Sequence, residues 1–325
     1  MHGPRQAAGR GPGGSPKSPF RSRGPGRGPI KPDTPTGALL VDKPPGITSA
    51  RTVALVKRLL PKKSKIGHTG TLDPLATGLL ILLLGRATRL SRYVTGLDKT
   101  YAATARFGQE SDTLDADGEI TPVDAPMPTE SQIRELAETF TGELQQTPPM
   151  ASAVKVGGER LYSIHRRGGT VDRDSRAITV NSLEVTSYDA AQQLVTFDIS
   201  CSSGTYVRSL IADLADALDT GAHLMALRRT SVGTLHLRQA VSPETLTPEN
   251  LRNRIIPPAR VLSHLPALDV GGGRGRVWQA VCHGREIAVP GLRGSFRVES
   301  GGELLAVYGG DGKGGRPEVV LCAGG

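Results

Sequence analysis

The sequence predicts an α+β body followed by a small, β-rich C-terminal domain. Three observations carry this. Apolar residues recur with period two in some short runs and with helical period in others, and the two kinds interleave irregularly. Six consecutive apolar residues, Leu79 to Leu84, lie between Gly78 and Gly85, which suits a strand covered on both faces. From about Ile256 glycine rises sharply and the strand-like runs become short.

Taken in order, "GALLVDKPPGITSARTVALVKRLLP" reads as strand, tight turn and helix. Pro44, Pro45 and Gly46 make the turn. Thr48 or Ser49 caps the helix, which runs to about Leu60 with Val53, Val56 and Leu60 on one face. The Leu79–Leu84 run is the next long strand, and "KTYAATARFG" the one after it. "ESDTLDADGEI" reads as a polar turn; its spaced acids lack the distal glutamate of a calcium loop. "TESQIRELAETFTG" is a helix of about three turns. The segment around Lys155, Arg160, Arg166 and Arg167 has little periodicity and reads as an exposed, basic excursion. "AITVNSLEVTSYD" and "QLVTFDISCSSG" alternate as strands. "TYVRSLIADLADALD" is an amphipathic helix with Val207, Leu210, Ile211, Leu214 and Leu218 on its buried side, and "GAHLMALRRTSVGTL" returns to extended chain. "GSFRV", "ELLAVYG" and "PEVVLC" are the strands of the last domain. The expected divisions are a tail at 1–36, a body at 37–255 and the β-rich domain at 256–325.

Charge is unevenly placed. Residues 1–36 hold seven Lys/Arg against one acid, so the tail carries +6 of the chain's net +9. With eight Pro and eight Gly it cannot bury enough apolar surface to offset the entropy of ordering, and disorder is expected. A flexible cationic arm suits loose attraction to a polyanion such as RNA, or simply keeps the chain in solution. No apolar run approaches the ~18 residues of a membrane span, and "MHGPRQAAGRGPGGSP" has no apolar central region. Cys201, Cys282 and Cys322 are odd in number, far apart and in no metal spacing. The expectation is a cytoplasmic chain with neither disulfide nor structural zinc.

Chemistry centres on "GHTGTLDPLATGLL". No phosphate loop fits it, because no lysine follows the glycines, and no G-x-S-x-G elbow occurs in the chain. What remains is one carboxylate, Asp73, in a turn whose small neighbours (Gly70, Thr71, Ala76, Gly78) let another molecule come close. It is either a turn former bonded to its own backbone or a reagent. In "SCSSGTYVRSL", Tyr206 and Arg208 sit where a strand feeds a helix. The helix macrodipole favours anions there, so an arginine is better explained by a specific acidic partner than by the helix itself. If that partner is Asp73, the cation holds the carboxylate ionised, and a guanidinium can grip it through two parallel bonds.

These residues lie in a dense, ordered set of blocks: "LLVDKPPGITS", "GHTGTLDPLATGLLILLLGRATR", "LDKTYAATARFGQESDTLDADG", "PPMASAVKVGGERLYSIHRRG", "DISCSSGTYVRSLIADLADAL" and "GAHLMALRRTSVG". Over roughly residues 37–235 the chain resembles the TruB-type tRNA pseudouridine synthases. The C-terminal part resembles a PUA-like RNA-binding domain, and the tail matches nothing in the family. The resemblance implies the pseudouridine synthase catalytic fold, a mostly antiparallel sheet flanked by helices. It implies isomerisation of uridine 55 in the T loop of tRNA, by breaking the bond from the ribose to N1, rotating the base and rejoining through C5. Asp73 becomes the catalytic carboxylate and Arg208 its partner. Asp73 then attacks the sugar, attacks the base or abstracts a proton beside the anomeric carbon. Tyr101 matches the tyrosine that stacks on the target base, and Tyr206 and Leu227 match residues lining the uracil pocket. His68 matches the histidine that fills the space left by the flipped base. Lys43 matches a basic residue near the pocket, structural or phosphate-contacting. The basic excursion matches a mobile loop that closes over the T arm. No cofactor or metal is implied, and a monomer is expected. Two rivals stand beside this: an RNA N-glycosidase, which releases the base and usually enlists two carboxylates, and an RNA-binding protein in which Asp73 is structural.

Overall fold

The computed structural model describes residues 34–152 and 154–322. The tail expected to be disordered lies, but for residues 34–36, outside the described residues. The chain opens with β1 (Gly37–Lys43), α1 (Ser49–Lys57), β2 (Ile66–His68) and β3 (Thr77–Leu84). A tight helical turn leads to α2 (Ser91–Thr95), β4 (Lys99–Phe107) and a hairpin of β5 (Gln109–Ser111) with β6 (Ile120–Pro122). Next come α3 (Glu130–Thr139), β7 (Gly142–Gln146), a small hairpin of β8 (Lys155–Val156) with β9 (Glu159–Arg160), and α4 (Leu161–His165). Then follow β10 (Arg176–Asp189), β11 (Leu194–Cys201), α5 (Val207–Asp216), β12 (Ala222–Val232) and β13 (Leu235–His236). Short helices α6 (Pro248–Leu251) and α7 (Pro258–Val261) lead to β14 (Ala267–Asp269), α8 (Arg276–Cys282), β15 (Ile287–Ala288), β16 (Arg293–Ser300), β17 (Glu303–Asp311) and β18 (Gly314–Val320).

The main sheet runs β1-β3-β12-β4-β11-β10-β7, with β2 added to β3 and β13 to β12. β3 and β12 run parallel, and the other pairings in it are antiparallel. Along β4 burial alternates strictly, turning Lys99, Tyr101, Ala103, Ala105 and Phe107 inward. This face packs against the buried stripe of α5, where Val207, Leu210, Ile211 and Leu214 lie as the helical spacing predicts. β3 explains its own unbroken apolar run. Leu80, Leu82 and Leu84 join that core, while Leu79, Ile81 and Leu83 face a second one on the opposite side. Full burial of such a side chain contributes about 1.5–3 kcal/mol. α1 starts at the Thr48 cap as expected but ends at Lys57, because Arg58, Leu59 and Leu60 each bond only three residues back.

The second sheet has the order β14-β16-β17-β18-β15. It is not a free appendage: Leu304, Val307, Val319 and Leu321 fill the second core together with Leu79, Ile81 and Leu83 of β3. Ile256, at the expected boundary, is bonded to Ala38 of β1 through N–H···O bonds of 2.8 and 2.9 Å. Cys282 and Cys322 form a disulfide, with Cα atoms 5.4 Å apart across a sequence separation of 40. This overturns the expectation of a chain without disulfides. The pairing comes from the fold, which lays the end of α8 beside the end of β18, and spacing alone carries no sign of it. Cys201 is free and buried. No helix among the described residues is long and apolar enough to cross a membrane.

Candidate active site

The loop joining β2 to β3 carries Asp73 and is held from several sides. The Ser49 hydroxyl donates to the Leu72 carbonyl at 3.0 Å and accepts from the Leu72 N–H at 2.9 Å. Lys43, wholly buried, donates through Nζ to the carbonyls of Ala76 (2.6 Å), Pro44 (2.9 Å) and Pro74 (3.2 Å). Arg229 donates through Nε to Leu79 O at 2.7 Å and through Nη2 to Gly70 O at 3.2 Å. Gly78 is required here: its φ is +96°, and a Cβ would lie 2.4 Å from the Arg229 carbonyl oxygen. The loop is therefore rigid before any substrate arrives.

Arg208, at the start of α5, reaches this loop as its placement suggested. Its Nε lies 3.0 Å from Asp73 Oδ2, with 3% of the arginine side chain and 37% of the aspartate side chain exposed. The expected two-bond grip is absent. Nε is not aligned for a hydrogen bond to the carboxylate. Nη1 donates to Thr113 O at 2.6 Å and lies 3.2 Å from Asp115 Oδ2, and Nη2 donates to Ala151 O at 2.9 Å. Asp115 is itself bound by the Thr113 hydroxyl (2.6 Å) and the Asp117 N–H (3.2 Å). Arg208 does depress the Asp73 pKa as expected, but burial outweighs it and the net shift is upward. Burial pushes the Asp73 carboxyl above the usual carboxylate range; Arg208 pulls it back and Asp115 adds to the rise. Burial likewise lowers Lys43 to about 8, against the pull of Asp73.

Asp73 and Arg208 open onto a cavity of about 410 Å³, within the range of small-ligand sites. Tyr101, Tyr206 and Leu227 line it, as the resemblance implies. Tyr101 and Leu227 come from the adjacent inward faces of β4 and β12. Gln146 fixes Tyr206 by accepting from its N–H at 2.8 Å and donating to its carbonyl at 3.0 Å, and Arg176 lies over the Tyr206 ring. His68 and Lys43 do not line the cavity. His68 ends β2, half-buried, and its Nδ1 is enclosed without a partner. Burial and Arg229 lower its pKa, so the ring is neutral at pH 7. Lys43 sits beneath the Asp73 loop with all its nitrogen contacts internal, which makes it a clamp of that loop and keeps it from meeting a phosphate outside.

Sequence reasoning missed Asp115, Gln146, Lys99 and Arg229. The acids of "SDTLDADG" read alike as turn formers, and nothing local marks Asp115 as the one that folds inward to 4% exposure. Lys99 and Arg229 did leave a signal. Strand alternation places Lys99 on the face of Tyr101 and Arg229 on the face of Leu227. The excursion is also less exposed than expected. Its outer residues Lys155, Arg160, Arg166 and Arg167 are exposed, but Ser152 and Leu161 are buried, and Ala151 reaches Arg208.

Solved structures share this architecture. The chain matches a protein in "Crystal Structure of a Cbf5-Nop10-Gar1 Complex" with a TM-score of 0.67 and 28% identity, covering 88% of this chain and 84% of that one. It matches another in a structure of an H/ACA RNP bound to a substrate RNA containing 2'-deoxyuridine, with a TM-score of 0.66, 26% identity and coverages of 89% and 86%. The fold is that of the pseudouridine synthase catalytic domain joined to a β-rich C-terminal part. Residues 57–207 match the TruB family pseudouridylate synthase N-terminal domain, and residues 208–262 the tRNA pseudouridylate synthase B C-terminal domain. The chain is 42% identical over 299 residues to tRNA pseudouridine synthase B of Ralstonia nicotianae, covering 88% of this chain and 94% of that protein. It is 46% identical over 225 residues to the protein of that name from Opitutus terrae, covering 68% and 92%. The chain belongs to the TruB family of pseudouridylate synthases.

Proposed function

We propose that this chain isomerises uridine 55 in the T loop of tRNA to pseudouridine, with Asp73 as the reacting carboxylate. The observation that carries this is the Asp73–Arg208 pair at the wall of a base-sized cavity lined by Tyr101, Tyr206 and Leu227, in a chain of this family. The N-glycosidic bond breaks, the base turns within the cavity, and C5 bonds to the sugar. Attack on the sugar, attack on the base and proton abstraction beside the anomeric carbon all begin from ionised Asp73, so the charge of Arg208 serves each. A uridine in a folded loop must be everted first, at a cost of a few kcal/mol. Tyr101 stacks on the everted base, Tyr206 and Leu227 wall it, and His68, outside the cavity and neutral, packs where the base has left. The excursion with Lys155 to Arg167 and the PUA-like C-terminal sheet grip the T arm, the chain acts as a monomer in the cytoplasm, and no cofactor takes part. Asp115 gives the site a second carboxylate, but it is buried behind Arg208 and does not line the cavity, so the two-carboxylate chemistry of a glycosidase has only one reagent here.

Pseudouridine mapping on a T-arm stem-loop tests this. The expected outcome is conversion at the target uridine with no change in RNA mass. A mass loss equal to uracil less one water supports hydrolytic base excision instead, and binding without conversion supports a structural Asp73.

A further inference from the structure

The isomerisation proposed above, on which this inference rests, has a charge requirement that Asp73 and Arg208 do not meet. When the bond from C1′ to N1 breaks, its electron pair leaves with the base. The freed uracil is an anion whose charge is shared by its ring nitrogen and carbonyl oxygens. It keeps that charge while it turns, until C5 bonds to C1′. The hydrogen on C5 then leaves as a proton and N1 takes one up, so substrate and product hold the same atoms. Each of the three routes open to Asp73 puts negative charge on the base. Arg208 cannot answer it, because Asp73, Asp115 and the carbonyls of Thr113 and Ala151 already share its donors.

The same cavity holds two cations in a different situation. Lys99 and Arg229 line it, 6% and 1% exposed. Among the described residues neither is paired with a carboxylate. Arg229 donates to the carbonyls of Leu79 and Gly70. Lys99 donates to the carbonyls of Thr95, at 2.6 Å, and of Leu97, which leaves its third proton free. Asp98, the chain neighbour of Lys99, is bonded to Asn181 Nδ2 at 3.1 Å. Neutral carbonyls aim these cations without cancelling their charge. Buried charge without a counter-ion is costly, and burial and Arg229 together lower Lys99 to about 8. Breaches of this kind concentrate where a site's work uses them.

We propose that Lys99 and Arg229 form a cationic floor that holds the negative charge of the uracil anion between bond breaking and bond making. Preorganised charges in a water-poor site act strongly on charge that develops there. Tyr101 and Leu227, two residues along the same strands and on the same face, supply the apolar plane against which the base turns.

The experiment is single-turnover pseudouridine formation on a T-arm stem-loop by wild type, Lys99→Met, Lys99→Gln and Lys99→Arg. Methionine keeps most of the apolar stem and removes the charge; glutamine removes the charge and keeps two N–H donors, one atom shorter, toward the Thr95 and Leu97 carbonyls, which guards against a folding defect. Both neutral variants are expected to slow turnover about 100-fold with stem-loop affinity unchanged, while arginine restores most of the rate. A second arm places 5-fluorouridine at the target and follows glycosidic cleavage. Fluorine stabilises the departing anion, so the defect of the neutral variants is expected to shrink about tenfold with this substrate. Neutral variants within about twofold of wild type, or equally slow on both substrates, overturn the floor. A wild type that converts no uridine overturns the function itself, and the two failures are told apart within one assay.

Discussion

The catalytic end of the main sheet and the C-terminal sheet are built on opposite electrostatic plans. Around the Asp73 loop, Lys43, Arg208, Asp115, Lys99 and Arg229 are all buried, at 0 to 6% exposure. In the C-terminal sheet and the α8 helix beside it, Val281, Phe296, Val298, Leu305, Ala306 and Tyr308 form a dry core, and among the described residues no charged side chain there is buried. Its one buried phenol is satisfied, with Tyr308 donating to Arg285 O at 2.8 Å. One of its ion pairs, between Arg316 and Glu286, lies at 82% and 67% side-chain exposure, where such pairs contribute little; the other, between Arg297 and Glu299 of β16, is partly covered but self-paired. Desolvating charge costs stability, and a sheet that carries no reacting groups in its core avoids it. The concentration of buried charge at one end of the molecule marks where stability is given up for chemistry.

The largest expected effect attacks that plan at its centre. Asp73→Asn is expected to lower pseudouridine formation by about 10⁴-fold or more while leaving stem-loop binding intact. It should not destabilise the fold. A carboxyl whose pKa is raised by folding supports stability below its unfolded value, and that support is lost as pH rises through the folded one. Once ionised, Asp73 is thus a net cost that asparagine removes. Thermal unfolding beside a tRNA conversion assay checks both halves; joint loss of binding, activity and stability would make Asp73 structural.

Glycines sharpen the contrast next. Gly78→Ala forces a Cβ against the Arg229 backbone and is expected to cost roughly 4 kcal/mol. Gly301→Ala, in a C-terminal turn at φ +58° with nothing within 4 Å, meets only the left-handed backbone penalty of about 1 kcal/mol. Urea unfolding of the two variants measures the difference. The disulfide tests the other region. Closing a loop across a separation of 40 is worth roughly 3–4 kcal/mol. Cys282→Ser, or thiol reduction, is expected to lower the unfolding midpoint while stem-loop conversion at 25 °C stays near wild type. A large activity loss would mean that the C-terminal sheet acts on the catalytic end.

What the sequence made legible follows the same division. β3 was readable because six apolar residues in a row suit a strand with two covered faces, and both are covered. The approach of Arg208 to Asp73 was readable because an arginine at a helix start needs a reason. Its sharing with Asp115, Thr113 and Ala151 was not, since three separate segments meet there only through space. The sign of the Asp73 shift was missed for the same cause: a sequence displays the cation but hides the desolvation. Lys99 and Arg229 lay within reach of strand alternation, and the Cys282–Cys322 pairing within reach of nothing local.

The smallest expected effect bears on that shared guanidinium. Asp115 raises the Asp73 pKa by its own charge and occupies part of Arg208, so Asp115→Asn removes one raising cause and frees donors that lower it. Because the reaction starts from ionised Asp73, the acid limb of the pH–rate profile should move to lower pH. Wild type should lose activity at a higher pH than an ordinary carboxylate would dictate. The maximal rate is expected to fall as well, since Arg208 loses one of the contacts that aim it, but a fall without a shift would not fit the same cause. A single-turnover profile for both proteins on one stem-loop separates the two effects. A limb that stays in place would mean that burial alone sets the ionisation of Asp73, and that the polar core at this end serves to position Arg208 rather than to tune the charge beside it.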